Sequence, residues 1–211
     1  MRNSPPVPAH SPPSATSERI LNVAERLVQT QGYNGFSYAD ISAALRITKA
    51  SLHYHFPTKA KLGLSLVLRY QETFGNALEA LRKRVPDPAE KLRAYVRLYA
   101  DVLREDRMCL CGMLAAEQAT LPKPMRTALN AFFDANEKWL AEVLGEGRKT
   151  GALRFEGSVD EEARLLVASL EGAMLVARSY GDPQRFVSAA DLVLASVLPP
   201  AQRVTKGLRR A

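Results

Sequence analysis

Residues 46–59 read RITKASLHYHFPTK, a stretch carrying two His, one Tyr and flanking basic side chains, and closed abruptly by a proline. Thr48 can cap a short helix, Lys49 to Phe56, which Pro57 cannot extend because it lacks an amide proton. Thr58 caps a long helix, roughly Lys59 to Arg84, ended by Pro86 and Pro88. Upstream, Ser37 and Asp40 fit a capping box for a helix carrying Ile41, Ala44 and Leu45. Before that, Ile20, Ala24, Leu27, Val28 and Gln31 share one face of a helix opened by Thr16 or Ser17 and closed by Gly32. A longer helix followed by two short ones about three residues apart makes a helix-turn-helix arrangement. In its last helix Leu52 and Phe56 point inward at i and i+4, leaving Lys49, Ala50, Ser51, His53, Tyr54 and His55 to face DNA. Ala50 and Ser51 let the backbone sink into a major groove, where Ser bonds base edges. Thr48 opens that helix, and Tyr54, His55 and Lys59 suit phosphate contacts.

The charge distribution agrees with a polyanion-binding first third. Residues 1–85 hold 11 Lys and Arg against 5 Asp and Glu, residues 86–198 hold 14 against 17, and the tail 199–211 adds 4 basic residues to a net charge of +7. Residues 1–16 contain five prolines and no apolar core, which predicts a disordered leader rather than a signal peptide. No apolar run reaches the roughly 18 residues of a membrane span. Two cysteines, Cys109 and Cys111, are too close in sequence to staple distant segments, so the expected compartment is the cytoplasm, at the nucleoid.

The run GYNGFSYADISAALRITKASLHYHFPTKAKL, from Gly32, resembles the DNA-binding domain of the TetR family of bacterial transcriptional repressors, a resemblance covering residues 17 to about 62. It combines the Gly-Tyr turn, two capped helices, an aromatic and His cluster ending in His-Phe, and a Lys three residues on. Two departures stand out. Arg46 occupies the turn where the family most often has Gly, a left-handed position costing a residue with a β-carbon about 1 kcal/mol; a phosphate contact by Arg46 is the expected offset. His53 stands where the family usually has Tyr, with Tyr54 beside it. The resemblance implies an all-α protein of about nine helices: a helix-turn-helix module at 17–62 joined to a ligand-binding and dimerisation domain at 63–198. It implies a homodimeric repressor on a palindromic double-stranded operator, released by a small-molecule inducer.

The second domain reads as helical throughout. Leu92, Tyr95, Val96, Tyr99, Val102 and Leu103 share one face, as do Phe132, Asn136, Trp139 and Val143. Polar groups among these faces, namely Asn136, the Tyr95 and Tyr99 hydroxyls, and Glu117 in line with Cys109 and Met113, need partners if buried, and a ligand can be one. The expected pocket is therefore Tyr95, Tyr99, Cys109, Met113, Glu117, Phe132, Asn136 and Trp139. Small-residue faces, Ser169, Gly172, Ala173 and Ala177 on one late helix and Ala189, Ala190, Val193 and Val197 on the next, predict a dimer interface through the last two helices.

Other function classes fit less well. Only three His occur, and no acid, base and nucleophile gather, so no enzyme is expected; nor is a cofactor. A zinc site from His53, His55, Cys109 and Cys111 fails because i, i+2 side chains diverge on a helix. The alternative is a helical small-molecule or thiol-sensing protein with weak DNA affinity. In it Cys109, at a helix N-terminus beside Arg107, has a lowered pKa and reacts with electrophiles; the competing reading buries both thiols as small apolar groups.

Overall fold

The computed structural model describes residues 14–199. Nine α-helices are found among them. The first, α1 (Ala15–Gln31), is capped by Ser14, whose side chain accepts the Ser17 amide, and ends at Gly32 with φ 84°. The expected cap at Thr16 or Ser17 is thus displaced: residues 14–16 open α1 instead of ending a leader, because Ser14 stands three residues before the Ser17 amide. Residues 1–13 of the expected leader, and 200–211 of the expected basic tail, lie outside the described residues.

Helix α2 (Tyr38–Leu45) opens with the Ser37/Asp40 capping box and stops at Arg46, which adopts φ 54°, ψ 44°, the left-handed conformation anticipated for the turn. Helix α3 (Lys49–His55) is capped by the Thr48 side chain, and α4 (Lys59–Arg84) by Thr58. Then follow α5 (Pro88–Arg104), α6 (Leu110–Ala116), a 3-10 turn at Gln118–Thr120, α7 (Lys123–Thr150), α8 (Val159–Ser179) and α9 (Pro183–Val197). Proline in the first turn of α5, α7 and α9 fits the one place in a helix where a missing amide costs nothing.

Helix α4 joins the first three helices to the rest of the bundle. Near its start Leu62, Leu66 and Val67 are buried in one continuous core with Ile20, Ala24, Ile41 and Leu52. On its outer side Arg69 reaches across to α1, donating to Asn22 at 2.7 Å and to Glu25 at 2.6 Å. Further along, Tyr70 and Phe74 enter an aromatic block with Tyr95 and Tyr99 of α5 and Phe132 of α7. The three-helix head is therefore fixed to the first half of α4, while the second half belongs to the body.

Helices α8 and α9, joined by a short turn at Gly181 with φ 61°, lie along one another. Ala177, Ala190 and Val197 are fully buried within the single chain. The small-residue faces expected for a dimer are thus partly consumed inside the protomer, because small side chains let these two neighbours approach closely. What faces outward is larger: Leu165, Leu175 and Val176 on α8, Tyr180 beyond it and Leu192 on α9, all more than half exposed.

Candidate nucleic-acid interface and ligand cleft

Helix α3 is amphipathic over barely two turns. Leu52 is fully buried and Phe56 nearly so, whereas Lys49, Ala50, His53 and Tyr54 are exposed, Tyr54 at 84%. Ser51 and His55 are half-buried, and Arg46 and Thr48 are exposed at the turn. The Thr48 hydroxyl accepts the Ser51 amide at 3.1 Å, so it first serves the helix. His53 is positioned rather than free: its Nδ1 lies 3.2 Å from the Pro57 carbonyl oxygen and its ring lies 4.8 Å from that of Tyr38. The His55 ring stands edge-on to Tyr54 at 5.2 Å.

Tyr38 was not anticipated. Its hydroxyl donates to the Phe56 carbonyl at 2.7 Å, tying the start of α2 to the end of α3, and burial pushes its pKa up to about 12. A groove of about 380 Å³ runs between these helices, lined by Phe36, Ser37, Tyr38, Ala39, Lys49, His53 and Lys59. Lys59 departs from the expected phosphate contact. Its ammonium donates to the Phe36 carbonyl and lies 4.2 Å from the Phe36 ring centre and 4.8 Å from that of Tyr33. Desolvation lowers its pKa, opposed by Glu117 and Asp40. The Phe36 carbonyl and the two ring faces hold the ammonium in this turn and offset part of that desolvation.

The expected ligand set divides into three places. Tyr95, Tyr99, Phe132, Asn136 and Trp139 do meet, but they satisfy one another. The Tyr95 hydroxyl donates to Asn136 Oδ1 at 3.2 Å and lies 3.1 Å from the Tyr99 hydroxyl, and Asn136 Nδ2 donates to the Phe132 carbonyl at 2.8 Å. Trp139 stacks on Tyr95 at 5.6 Å, and its indole N–H is the one polar atom of this group without a hydrogen-bond partner. These five residues form a closed core. Asn136→Leu is accordingly expected to cost about 1–3 kcal/mol in urea unfolding, by stranding buried partners, while leaving DNA affinity unchanged.

Glu117 is elsewhere. One carboxylate oxygen accepts the Tyr33 amide at 2.6 Å and the other the Asn34 amide at 3.2 Å, so it holds the turn that follows α1. Gly32 makes this possible: a β-carbon there would stand 2.9 Å from Glu117 Oε1, and the local φ is positive. Three further contacts bind the same corner to the body. Met108 N–H donates to the Gln29 carbonyl, the Arg107 guanidinium to the Gln29 side chain, and the Arg178 guanidinium of α8 to the Gln29 and Thr30 carbonyls.

Met113 lies on the wall of a cleft of about 380 Å³ between α6, α7 and α8, shared with Met108, Gly112, Phe133, Val167 and Glu171. Behind it Cys109 and Cys111 are buried. Burial and the nearby Glu171 push both thiols well above their ordinary pKa, the reverse of a reactive thiolate. Arg107, expected to lower Cys109, instead pairs with Gln29 and Glu105. Glu171, absent from the sequence expectations, is the buried carboxyl of this region: the Cys109 thiol offers its oxygens no more than a weak hydrogen bond, and desolvation raises its pKa to about 7. No group of His, Cys, Asp and Glu able to hold a metal occurs among the described residues. None of the described helices is long and apolar enough to cross a membrane.

Comparison with known proteins agrees with this geometry. The family model for bacterial regulatory proteins of the tetR family matches residues 20–66, and that for the tetracyclin repressor-like C-terminal domain matches 88–193. The chain is similar to the HTH-type transcriptional repressor DhaR of Mycobacterium sp. (strain GP1), at 26% identity over 89% of this chain and 95% of that one. It is also similar to the HTH-type transcriptional regulator LmrA of Bacillus subtilis (strain 168), at 31% identity over 75% and 84%. A crystal structure of a TetR-family transcriptional regulator from Agrobacterium tumefaciens superposes with a TM-score of 0.85 at 34% identity, covering 88% of this chain and 98% of that one. With both parts of the chain matched in order, the chain belongs to the TetR family of bacterial transcriptional regulators.

Proposed function

We propose that this regulator is a homodimeric repressor that occupies a palindromic operator and leaves it when a small molecule enters the cleft between α6, α7 and α8. The observation that carries the DNA half is the two-sided helix α3, with Leu52 sealed in the core and Tyr54, His53, Ala50 and Lys49 presented outward. Arg46, Thr48, Ser51 and His55 flank that face; Lys59 acts through the turn it braces rather than by direct contact. A single α3 is too short to hold DNA alone, and two related by a twofold axis read an inverted repeat. The exposed apolar stripe Leu165, Leu175, Val176 and Leu192 supplies the pairing surface on α8 and α9. A protein doing this works at the nucleoid, in the cytoplasm.

Release follows from what α6 touches. Gly112, Met113, Ala115 and Ala116 face the cleft, and the next residue, Glu117, holds the Tyr33–Asn34 turn of the head. A ligand that favours a shifted α6 therefore biases the head's orientation, and with it the spacing of the two recognition helices.

The DNA assignment is tested by fluorescence anisotropy on operator and random duplexes across a salt series. Lys49→Ala is expected to weaken the operator more than the random duplex, and Tyr54→Ala to weaken both duplexes alike. Unchanged affinity in both variants would remove α3 from the interface.

A further inference from the structure

The cleft contains one feature that the regulator reading leaves unused. Glu171 projects from the middle of α8 against α6, so close to Gly112 that a β-carbon there would lie 2.2 Å from Glu171 Oε2. Its carboxylate oxygens are sealed from solvent, and the Cys109 thiol beside them offers only a weak hydrogen bond. The charged and titratable groups around it are Tyr70 on α4, Tyr95 and Tyr99 on α5, Cys109 and Cys111 at α6, and Glu137 on α7. None is a cation. The one cation of the cleft wall, Arg164, sits two turns away on α8 and is paired with Glu137 at 3.5 Å. An unpaired buried carboxyl is costly, and it persists where something outside the chain completes it.

The geometry points to this cleft as the seat of an apolar organic cation, an amine or amidine whose protonated nitrogen is held by the Glu171 carboxylate and whose carbon skeleton lies against Met108, Met113, Phe133 and Val167. This names the ligand class for the proposed regulator and rests on that reading. The walls suit such a molecule. Thioethers and an aromatic ring are polarisable and accept a cation's flank, and two parallel N–H donors match the two oxygens of a carboxylate. Ligand charge and Glu171 charge are linked. The carboxyl, held near pH 7 by burial, must be ionised to bind, so affinity for a permanently protonated amine rises with pH.

Titration calorimetry on the full chain without DNA tests this, using benzamidine, phenethylamine, cyclohexylamine and octylamine against benzamide, phenethyl alcohol, cyclohexanol and octanol. Amines or amidines are expected to bind, their neutral counterparts at least tenfold more weakly, and cation affinity to rise roughly tenfold between about pH 6 and pH 8. Glu171→Gln is expected to lose at least tenfold in cation affinity and the pH dependence. Gly112→Ala, which forces the carboxylate aside without changing it, is expected to lose affinity as well, and covers the case in which the Gln variant folds poorly. Absence of binding by every cation, equal binding of the neutral set, or full cation affinity in both variants overturns the assignment. Operator binding by the ligand-free protein is measured separately: a chain that takes cations but no DNA contradicts the regulator reading alone, and one that binds DNA but no cation contradicts the ligand class alone.

Discussion

Glu117→Ala is expected to loosen the head from the body and, on the release route proposed above, to uncouple the cleft from DNA. The Glu117 carboxylate accepts two backbone amides, one of them on buried Tyr33, 84 residues away in sequence. Charge-assisted bonds of this kind contribute about 1.5–3 kcal/mol each, and removing the acceptor leaves a buried N–H without a partner. A loss of about 2 kcal/mol in the local closing equilibrium corresponds to roughly thirtyfold faster amide exchange at Tyr33 and Asn34. Hydrogen exchange resolved to single residues reads this directly, with the amides of α8 as an unaffected reference. Glu117→Gln keeps one acceptor and loses the charge, so it falls between wild type and Ala. If the proposed release runs through this contact, a ligand seated in the cleft still binds the Ala variant while its effect on operator affinity is reduced. Unchanged exchange at Tyr33 and Asn34 would show that the corner is held by its other contacts, from Arg107, Met108, Thr120 and Arg178.

The second large effect is a stability change with pH. Glu171 has its pKa raised from 4.5 to about 7 by burial, so between these values the folded protein binds more protons than the unfolded chain. Stability contributed by this group is fully present below about pH 4.5 and is lost as pH rises through 7. The shift corresponds to about 3 kcal/mol by pH 8, worth several degrees in unfolding temperature for a chain of this size. Glu171→Gln, isosteric and uncharged, is expected to unfold at a higher temperature than wild type at pH 8 and at nearly the same temperature at pH 5. Parallel profiles for the two proteins across that window would mean the carboxylate is solvated or partnered in solution.

The head was legible in the sequence because its determinants are local. Ser37 and Asp40, Thr48, Pro57 and Gly32 each act within four residues, and the left-handed Arg46 followed from the turn it occupies. The body's helices were legible from apolar period and proline placement, but periodicity says which face is inside and not whether a void lies there. Tyr95, Tyr99, Phe132, Asn136 and Trp139 were correctly gathered, yet their hydroxyls and amide complete each other instead of waiting for a ligand. Glu117 and Lys59 went elsewhere because their partners, Tyr33 and Asn34 for one and the Phe36 carbonyl for the other, are set by how the head docks. Glu171 gave no signal at all, since a Glu in SLEGAM reads as a surface residue until α6 is laid across it. The alternation of buried Ala177 with exposed Val176 and Leu175 likewise depends on where α9 lies.

The central claim, that two copies of α3 read an inverted repeat, is tested most directly by selecting bound duplexes from a random double-stranded library with the full-length protein. The account predicts enrichment of a palindrome whose half-sites are centred about 10 base pairs, or a multiple of that, apart. It further predicts that Lys49→Ala alters the preferred bases within each half-site without changing their spacing. Enrichment of a single unrepeated site, or no enrichment over the input library at low salt, would contradict it.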